Sequence, residues 1–256
     1  MSENWNDNAY PGTATVYIEA SWGGSIYTGS GAIIGRNDVI TASHVIYNSS
    51  LGGSPDWIRV YPSYNPSGSL FWNPNTSYSP SYYSYFTDFD PDADGYLQPG
   101  DYRYSTTEHS ESDVALLSFN EPIGDTYGWY GTRYDFTEGT INVLGYPGAY
   151  GNYLIQDSGY GKEDNVDSVI WFGNDVEINP GNSGGPIYTY SDTDGRYIVG
   201  VVSTRAWGAS IKQHSEFINR RMALNDSLIG SQGSEIERFT TNSETLTGNP
   251  DKQSIF

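Results

Sequence analysis

Three short segments carry side chains that could act together in covalent catalysis. Ser183 lies in the glycine-rich segment NPGNSGGP at residues 179–186, His44 follows an apolar run, and Asp113 precedes another. A serine hydroxyl is a weak nucleophile at neutral pH, so it needs a base, and the base needs a buried acceptor that holds it in one tautomer. The order histidine, aspartate, serine is one of the known orders of this constellation. The sequence therefore predicts nucleophilic serine chemistry.

The glycines around Ser183 have a chemical use of their own. They leave the hydroxyl exposed and permit backbone angles that aim two amide N–H groups at one point. Taken alone, the segment is more typical of an ordinary glycine-rich turn. The histidine and aspartate segments favour the catalytic interpretation instead.

These motifs resemble those of trypsin-like (chymotrypsin-fold) serine proteases over most of residues 12–225. The segments GSGAII at 29–34 and GYPG at 145–148, with GNSG around Ser183, are most similar to the bacterial glutamyl-endopeptidase-like branch.

The resemblance implies a role for each residue of the three motifs. His44 would be the general base, Asp113 its orienting partner and Ser183 the nucleophile. The backbone N–H groups of Gly181 and Ser183 would form the oxyanion hole.

The composition agrees with an all-β protein. The 256 residues include 30 glycines and 23 tyrosines and few long amphipathic patterns, which favours many short strands joined by turns. The resemblance implies two six-stranded antiparallel Greek-key barrels with a C-terminal helix. There is no cysteine, which excludes disulfides, a thiol nucleophile and thiolate metal sites, and which suits a bacterial member of the family.

We expect one protease domain at residues 1–230, followed by a polar tail or linker at 231–256. The expected parts of the domain are a first barrel at 12–125 with a long Tyr/Ser/Pro-rich insertion at 62–111, a second barrel at 135–212 and a helix at 214–228.

A calcium loop is predicted inside the insertion. Acidic residues occupy positions 1, 3, 5 and 12 of an EF-hand-like pattern, with a backbone carbonyl expected at position 7; the ligands would be Asp90, Asp92, Asp94, Tyr96 and Asp101. Position 12 is aspartate instead of glutamate, and Pro99 disfavours a following helix. The predicted Ca²⁺ is structural, and a solvated acidic turn is the alternative.

Specificity is predicted from the family's pocket positions. The residue six before the nucleophile lines the pocket floor in this family and is Glu177 here, which would favour Arg or Lys before the cleaved bond. Glutamyl endopeptidases use a hydroxyl residue and a histidine instead, and Ile178 and Val202 occupy those positions. Arg205 favours the alternative, acidic substrates, or could pair with Glu177 and cancel its charge.

Ser203 resembles the residue whose backbone pairs with the substrate chain.

The net charge of −19 excludes nucleic acid and anionic membranes as expected partners, and no apolar run reaches the length of a membrane span. We expect a monomer that acts on proteins or peptides and is secreted by a bacterium, although the polar residues 1–5 are not a secretory signal. Two further functions stay open. One is a catalytically silent, calcium-dependent binding module on a protease fold, and the other is an esterase or acyl transferase.

Overall fold

The computed structural model describes residues 2–5, 8–68, 76–86, 110–164, 168–191 and 195–229, and the backbone of 237–241. Short strands account for most of the regular structure. In chain order they are β1 (Glu3–Asn4), β2 (Thr15–Trp22), β3 (Ser25–Ile33), β4 (Asp38–Thr41), β5 (Trp57–Pro62), β6 (Tyr82–Phe86), β7 (Ala115–Ser118), β8 (Gly131–Thr132), β9 (Glu138–Gly145), β10 (Ile155–Asp164), β11 (Val169–Trp171), β12 (Pro186–Ser191), β13 (Gly195–Val202), β14 (Trp207–Ser210) and β15 (Glu237–Thr241).

In the described part of the chain, three α-helices accompany the strands, namely α1 (Ser43–Ile46), α2 (Ile123–Tyr127) and α3 (Ser215–Asn225). Short 3₁₀ turns lie at Ser49–Leu51, Gly148–Tyr150 and Asp226–Leu228. Among the described residues, no helix has the length and apolar character needed to cross a membrane.

The first sheet curls into a half-barrel with the strand order β15-β6-β7-β4-β3-β2-β5. Its neighbours are antiparallel except for β15, which runs parallel to β6. A single bridge between Val60 and Tyr78 spans the gap between β5 and the start of β6. Aliphatic side chains of β2, β3, β4 and β7 fill its core, among them Val16, Ile18, Ile33, Ile40 and Leu116.

The second sheet closes on itself. Strands β9, β10, β11, β14, β13 and β12 form a ring that is completed by pairing of β12 with β9, while β1 and β8 add at its edges. A separate apolar core fills this barrel and includes Ile141, Val143, Ile170, Phe172 and Val199. The prediction of an all-β, trypsin-like fold with a C-terminal helix is confirmed. The second of the two expected barrels is a closed ring of strands, and the first is a half-barrel.

Two segments differ from their expected structure. The insertion at 62–111 was expected as a loop, but β6 lies within it and buries Tyr83, Tyr85 and Phe86 in the first core. Its aromatic side chains stabilise a core strand by burial, although its composition is typical of a loop. Residues 237–241, expected in the polar tail, pair with the otherwise open edge of β6.

Candidate active site

A groove of about 560 Å³ lies where the two sheets meet. One wall comes from the first sheet and the α1 region, and the other comes from the second barrel. The lining residues are Trp22, Tyr27, Thr28, His44, Val45 and Asn48 on the first wall, and 178–181, Ser183, Ser203, Thr204 and Arg205 on the second.

Strand register brings His44 and Asp113 together. Strands β4 and β7 are antiparallel, with Thr41 opposite Ala115. His44 lies in α1 just after β4 ends, and Asp113 lies just before β7 begins. Because the two strands are antiparallel, both residues lie beyond the same end of the paired strands. His44 Nδ1 is 2.7 Å from Asp113 Oδ2, and the His44 amide donates to Asp113 Oδ1 at 3.0 Å.

The Asp113 carboxylate is fully buried and well supplied with donors. Besides the two contacts with His44, it accepts a 2.6 Å hydrogen bond from the Ser203 hydroxyl. The His44 side chain is 15 % exposed and lines the groove. A carboxylate at Nδ1 favours the tautomer that carries its proton there, so that Nε2 holds the lone pair with which the ring can act as a base.

The Ser183 segment is positioned by a second antiparallel pair. The segment precedes β12, Ser203 follows β13, and Pro186 of β12 lies opposite Val201 of β13. The amide of Gly184 donates to the Val202 carbonyl at 2.8 Å.

Two contacts dock this segment on the first sheet. The Ser30 amide donates to the Ser183 carbonyl at 2.8 Å, and the Ser30 hydroxyl donates to the Gly181 carbonyl at 2.6 Å. Gly184 has a φ of +77°, and a side chain there would collide with Thr41 and with the Ser30 carbonyl. The serine segment therefore requires glycine at 184 both for its backbone angle and for its close approach to β3 and β4.

The backbone amides of this segment fall into two groups, those with an acceptor among the described residues and those without one. The N–H groups of Asn182, Gly184 and Gly185 donate to backbone carbonyls. For the N–H groups of Gly181 and Ser183, the described part of the chain supplies no acceptor. Gly181 has a φ of +104°. Backbone donors without an internal partner are rare, and two in one turn can bind an oxyanion.

Glu177 is not brought into the groove. Its exposed carboxylate accepts hydrogen bonds from the side-chain Nδ2 of Asn179 at 2.8 Å and from the hydroxyls of Tyr150 and Ser2 at 2.9 Å each. These bonds, the one from Asn179 first, lower the pKa of the Glu177 carboxyl. Glu177 is not among the residues that line the groove, and three neighbours engage its carboxylate, so its pocket-floor role stays a prediction that these contacts disfavour.

The other specificity positions are divided between the groove and the core. Ile178, Ser203 and Arg205 line the groove, and Arg205 is exposed. Val202 is buried in the core of the second barrel and is not a lining residue. The alternative in which Arg205 pairs with Glu177 finds no support among the described contacts, where Glu177 is bonded to Asn179, Tyr150 and Ser2.

Some residues of the site were not identified from the sequence. The hydroxyl of Ser203 contacts Asp113, where only a backbone role was expected. Ser30 joins the two walls, and Trp22 and Tyr27 line the groove. The GSG motif at 29–31 was a signal for the contact made by Ser30, and nothing in the local sequence signals the roles of Ser203, Trp22 and Tyr27.

The predicted calcium ligands, Asp90, Asp92, Asp94, Tyr96 and Asp101, lie outside the described residues. Within the described ranges, no group of three or more His, Asp or Glu side chains could hold a metal ion. The calcium loop stays a prediction.

Comparisons with solved structures support the fold. A Glu endopeptidase solved in complex with MPD has a TM-score of 0.61 at 24 % identity, over 87 % of this chain and 96 % of that chain. The protease Anisep from Arthrobacter nicotinovorans has a TM-score of 0.58 at 18 % identity, over 82 % of this chain and 93 % of that chain. At these identities the likeness concerns the fold alone.

Comparison of sequences identifies the family. A glutamyl endopeptidase of Bacillus licheniformis is 32 % identical over 146 residues, which are 56 % of this chain and 39 % of that protein, so the match spans about two fifths of the relative's length. A model of the trypsin-like peptidase domain matches residues 29–201, a stretch that contains His44, Asp113 and Ser183. The chain belongs to the trypsin-like peptidase domain family.

Proposed function

We propose that the protein is a serine endopeptidase in which His44, Asp113 and Ser183 form the catalytic triad. The observation that carries this proposal is the buried carboxylate 2.7 Å from His44 Nδ1, in a groove that also contains Ser183 and two amides without an internal acceptor. The family assignment supports it independently.

The first half of the reaction forms an acyl-enzyme. His44 Nε2 takes the Ser183 hydroxyl proton as the oxygen bonds to the substrate carbonyl carbon, and the carbonyl oxygen becomes an oxyanion facing the amides of Gly181 and Ser183. Asp113 stabilises the imidazolium that results. His44 then gives the proton to the leaving nitrogen as the carbon–nitrogen bond breaks.

In the second half, water replaces the leaving amine. His44 takes a proton from the water as its oxygen bonds to the acyl carbon, and it returns the proton to Ser183 as the ester bond breaks. An esterase would use the same groups, and no contact in the groove favours that reaction over peptide hydrolysis.

For specificity we propose an acidic side chain before the cleaved bond. Arg205 lines the groove and is cationic, whereas Glu177 is not among the described lining residues and its carboxylate is engaged by Asn179, Tyr150 and Ser2. Similarity to a glutamyl endopeptidase favours the same preference. The Arg or Lys preference inferred from Glu177 is the competing outcome. Secretion from a bacterium stays a prediction, supported by similarity to a bacterial protein.

Cleavage of a diverse peptide mixture tests both parts of the proposal. Wild-type protein, Ser183→Ala and Arg205→Gln are incubated with the mixture, and the cut sites are read by mass spectrometry. We expect cuts after Glu or Asp that disappear in Ser183→Ala. The same cuts should fall about tenfold or more in Arg205→Gln, because the substrate carboxylate then has no guanidinium partner.

Cuts after Arg or Lys would overturn the specificity, and cuts that persist in Ser183→Ala would overturn the mechanism. A folded wild-type protein that cuts nothing would favour a silent binding module.

A further inference from the structure

Besides His44, the first wall of the groove includes a pair of aromatic rings. Trp22 closes β2 and Tyr27 lies on β3, and their ring centroids are 5.6 Å apart at an interplanar angle of 83°. Trp22 is almost fully buried, whereas Tyr27 is 47 % exposed. An edge-to-face pair with one open ring offers an apolar surface whose shape is already set.

The Trp22 indole is fixed to the segment that follows α1. Its Nε1 donates to the Gly53 carbonyl at 2.8 Å. The backbones of Gly53 and Asn48 exchange two hydrogen bonds of 2.8 and 2.9 Å, and Asn48 lies shortly after His44. The aromatic wall is thus continuous with the element that carries the proposed base. A wall held in place before binding loses little conformational entropy when a ligand arrives.

The position of the wall indicates which half of a substrate it meets. In the proposed reaction His44 protonates the leaving nitrogen, so the residues after the cleaved bond lie on the His44 side of the groove. Ser30 is hydrogen-bonded to the Ser183 carbonyl, and Tyr27 lies three residues before it on the same strand. Three residues of strand span about 10 Å, which an extended peptide also covers in about three residues.

The chemistry of this region favours an apolar ligand. Next to the two rings lie Val45, Thr28 and Asn48, and the described lining of the groove includes no Asp or Glu side chain. A basic side chain would therefore find no carboxylate partner in the described lining, the Asp56 carboxylate being bonded to the Gly23 amide outside it, whereas an aromatic or long aliphatic side chain could pack on both rings.

We propose that Trp22 and Tyr27 form a subsite for an aromatic or large aliphatic side chain among the first three residues after the cleaved bond. The subsite rests on the proposed peptidase function for its orientation. It makes the protein selective for both sides of the bond, by charge before it and by apolar packing after it.

Binding to an inactive variant tests the subsite without requiring catalysis. Peptides share one sequence up to a central Glu and differ in carrying Phe, Lys or Gly at the first, second or third following position. Their affinities for Ser183→Ala are measured by calorimetry. We expect one position at which Phe binds about tenfold more tightly than Gly, with no gain for Lys.

Matched variants assign the effect to Tyr27. In the Ser183→Ala background, Tyr27→Ser should reduce the Phe-to-Gly ratio to about twofold or less, and Tyr27→Phe should keep it. Ile26→Ser is the control, because Ile26 is 55 % exposed on the same strand but is not a lining residue. Alternation along β3 places its side chain on the opposite face, so this variant should keep the full ratio.

Three results would overturn the subsite: equal binding of all peptides or of none, tighter binding of Lys than of Phe, or a Phe preference that survives Tyr27→Ser. Failure of the proposed function would give a different result: Ser183→Ala would bind the peptides, but the wild-type protein would not cleave them.

Discussion

The two halves of the groove position their residues by the same strand geometry but through different chemical groups. On the first sheet, β4 and β7 bring the side chains of His44 and Asp113 into contact. On the second barrel, β12 and β13 position a glycine-rich turn in which the amides of Gly181 and Ser183 have no acceptor among the described residues. In the proposed mechanism the first half moves protons and the second half stabilises charge. Apart from loss of the nucleophile Ser183 itself, side-chain substitutions should therefore damage the first half most, and backbone substitutions the second.

The largest expected effect is on the proton-transferring half. Asp113→Asn replaces the buried acceptor with an amide of the same shape, which stabilises the wrong His44 tautomer. We expect kcat to fall about 10⁴-fold with the fold intact, measured with a peptide that the wild-type protein cleaves. A fall of less than about tenfold would show that Asp113 does not orient the base.

The backbone of the second half is tested by Gly184→Ala. The alanine must adopt a φ of +77°, and its methyl group meets the Thr41 hydroxyl and the Ser30 carbonyl. We expect a loss of at least about 2 kcal/mol in the free energy of unfolding, with a large loss of activity. Gly24→Ala is the matched control, because Gly24 has a φ of +83° with open space around it. It should cost about 1 kcal/mol. Equal losses for the two variants would contradict the docking of the turn.

A smaller effect is expected where the halves meet. Ser203 follows β13 of the second barrel but donates to Asp113 of the first half. Ser203→Ala removes a hydrogen bond to a buried carboxylate, so we expect kcat/KM to fall about tenfold. Ser210→Ala is the control, since the Ser210 hydroxyl contacts the buried Glu163 carboxylate elsewhere in the same barrel. An equal loss of activity in both variants would attribute the effect to general destabilisation.

The last expected effect is on the stability of the first half and leaves catalysis unchanged. Burial raises the pKa of Asp38 on β4 to about 6, against hydrogen bonds from Asn225 and Ser118 that lower it. The folded protein therefore binds a proton more tightly than the unfolded chain does. This contribution to stability is complete below about pH 4 and is lost as pH rises through about 6, at a cost of about 3 kcal/mol.

Asp38→Asn should remove this pH dependence. Denaturant unfolding at pH 4, 5, 6 and 7 should show the variant gaining on the wild type as pH rises. A difference between the two proteins that stays constant over this range would show that Asp38 does not titrate as described.

The proposed catalytic residues were predictable because each lies in a short motif beside an apolar strand, and two antiparallel pairs bring such motifs together. The direction of the Glu177 side chain could not be predicted from the sequence, because it depends on hydrogen bonds from Tyr150 and Ser2, which are distant in the chain. The strand β6 was hidden for a related reason. Its sequence YYSYF lies in a segment whose composition is typical of a loop, and its burial depends on pairing with β7.

The central claim is that His44 activates Ser183. Phenylmethylsulfonyl fluoride tests it directly, because an activated serine oxygen displaces fluoride and keeps the sulfonyl group. The account predicts that mass spectrometry locates the label on Ser183 in the wild-type protein, and that His44→Ala slows labelling by at least about 10³-fold. Labelling of another residue, or equal rates in the two proteins, would contradict it.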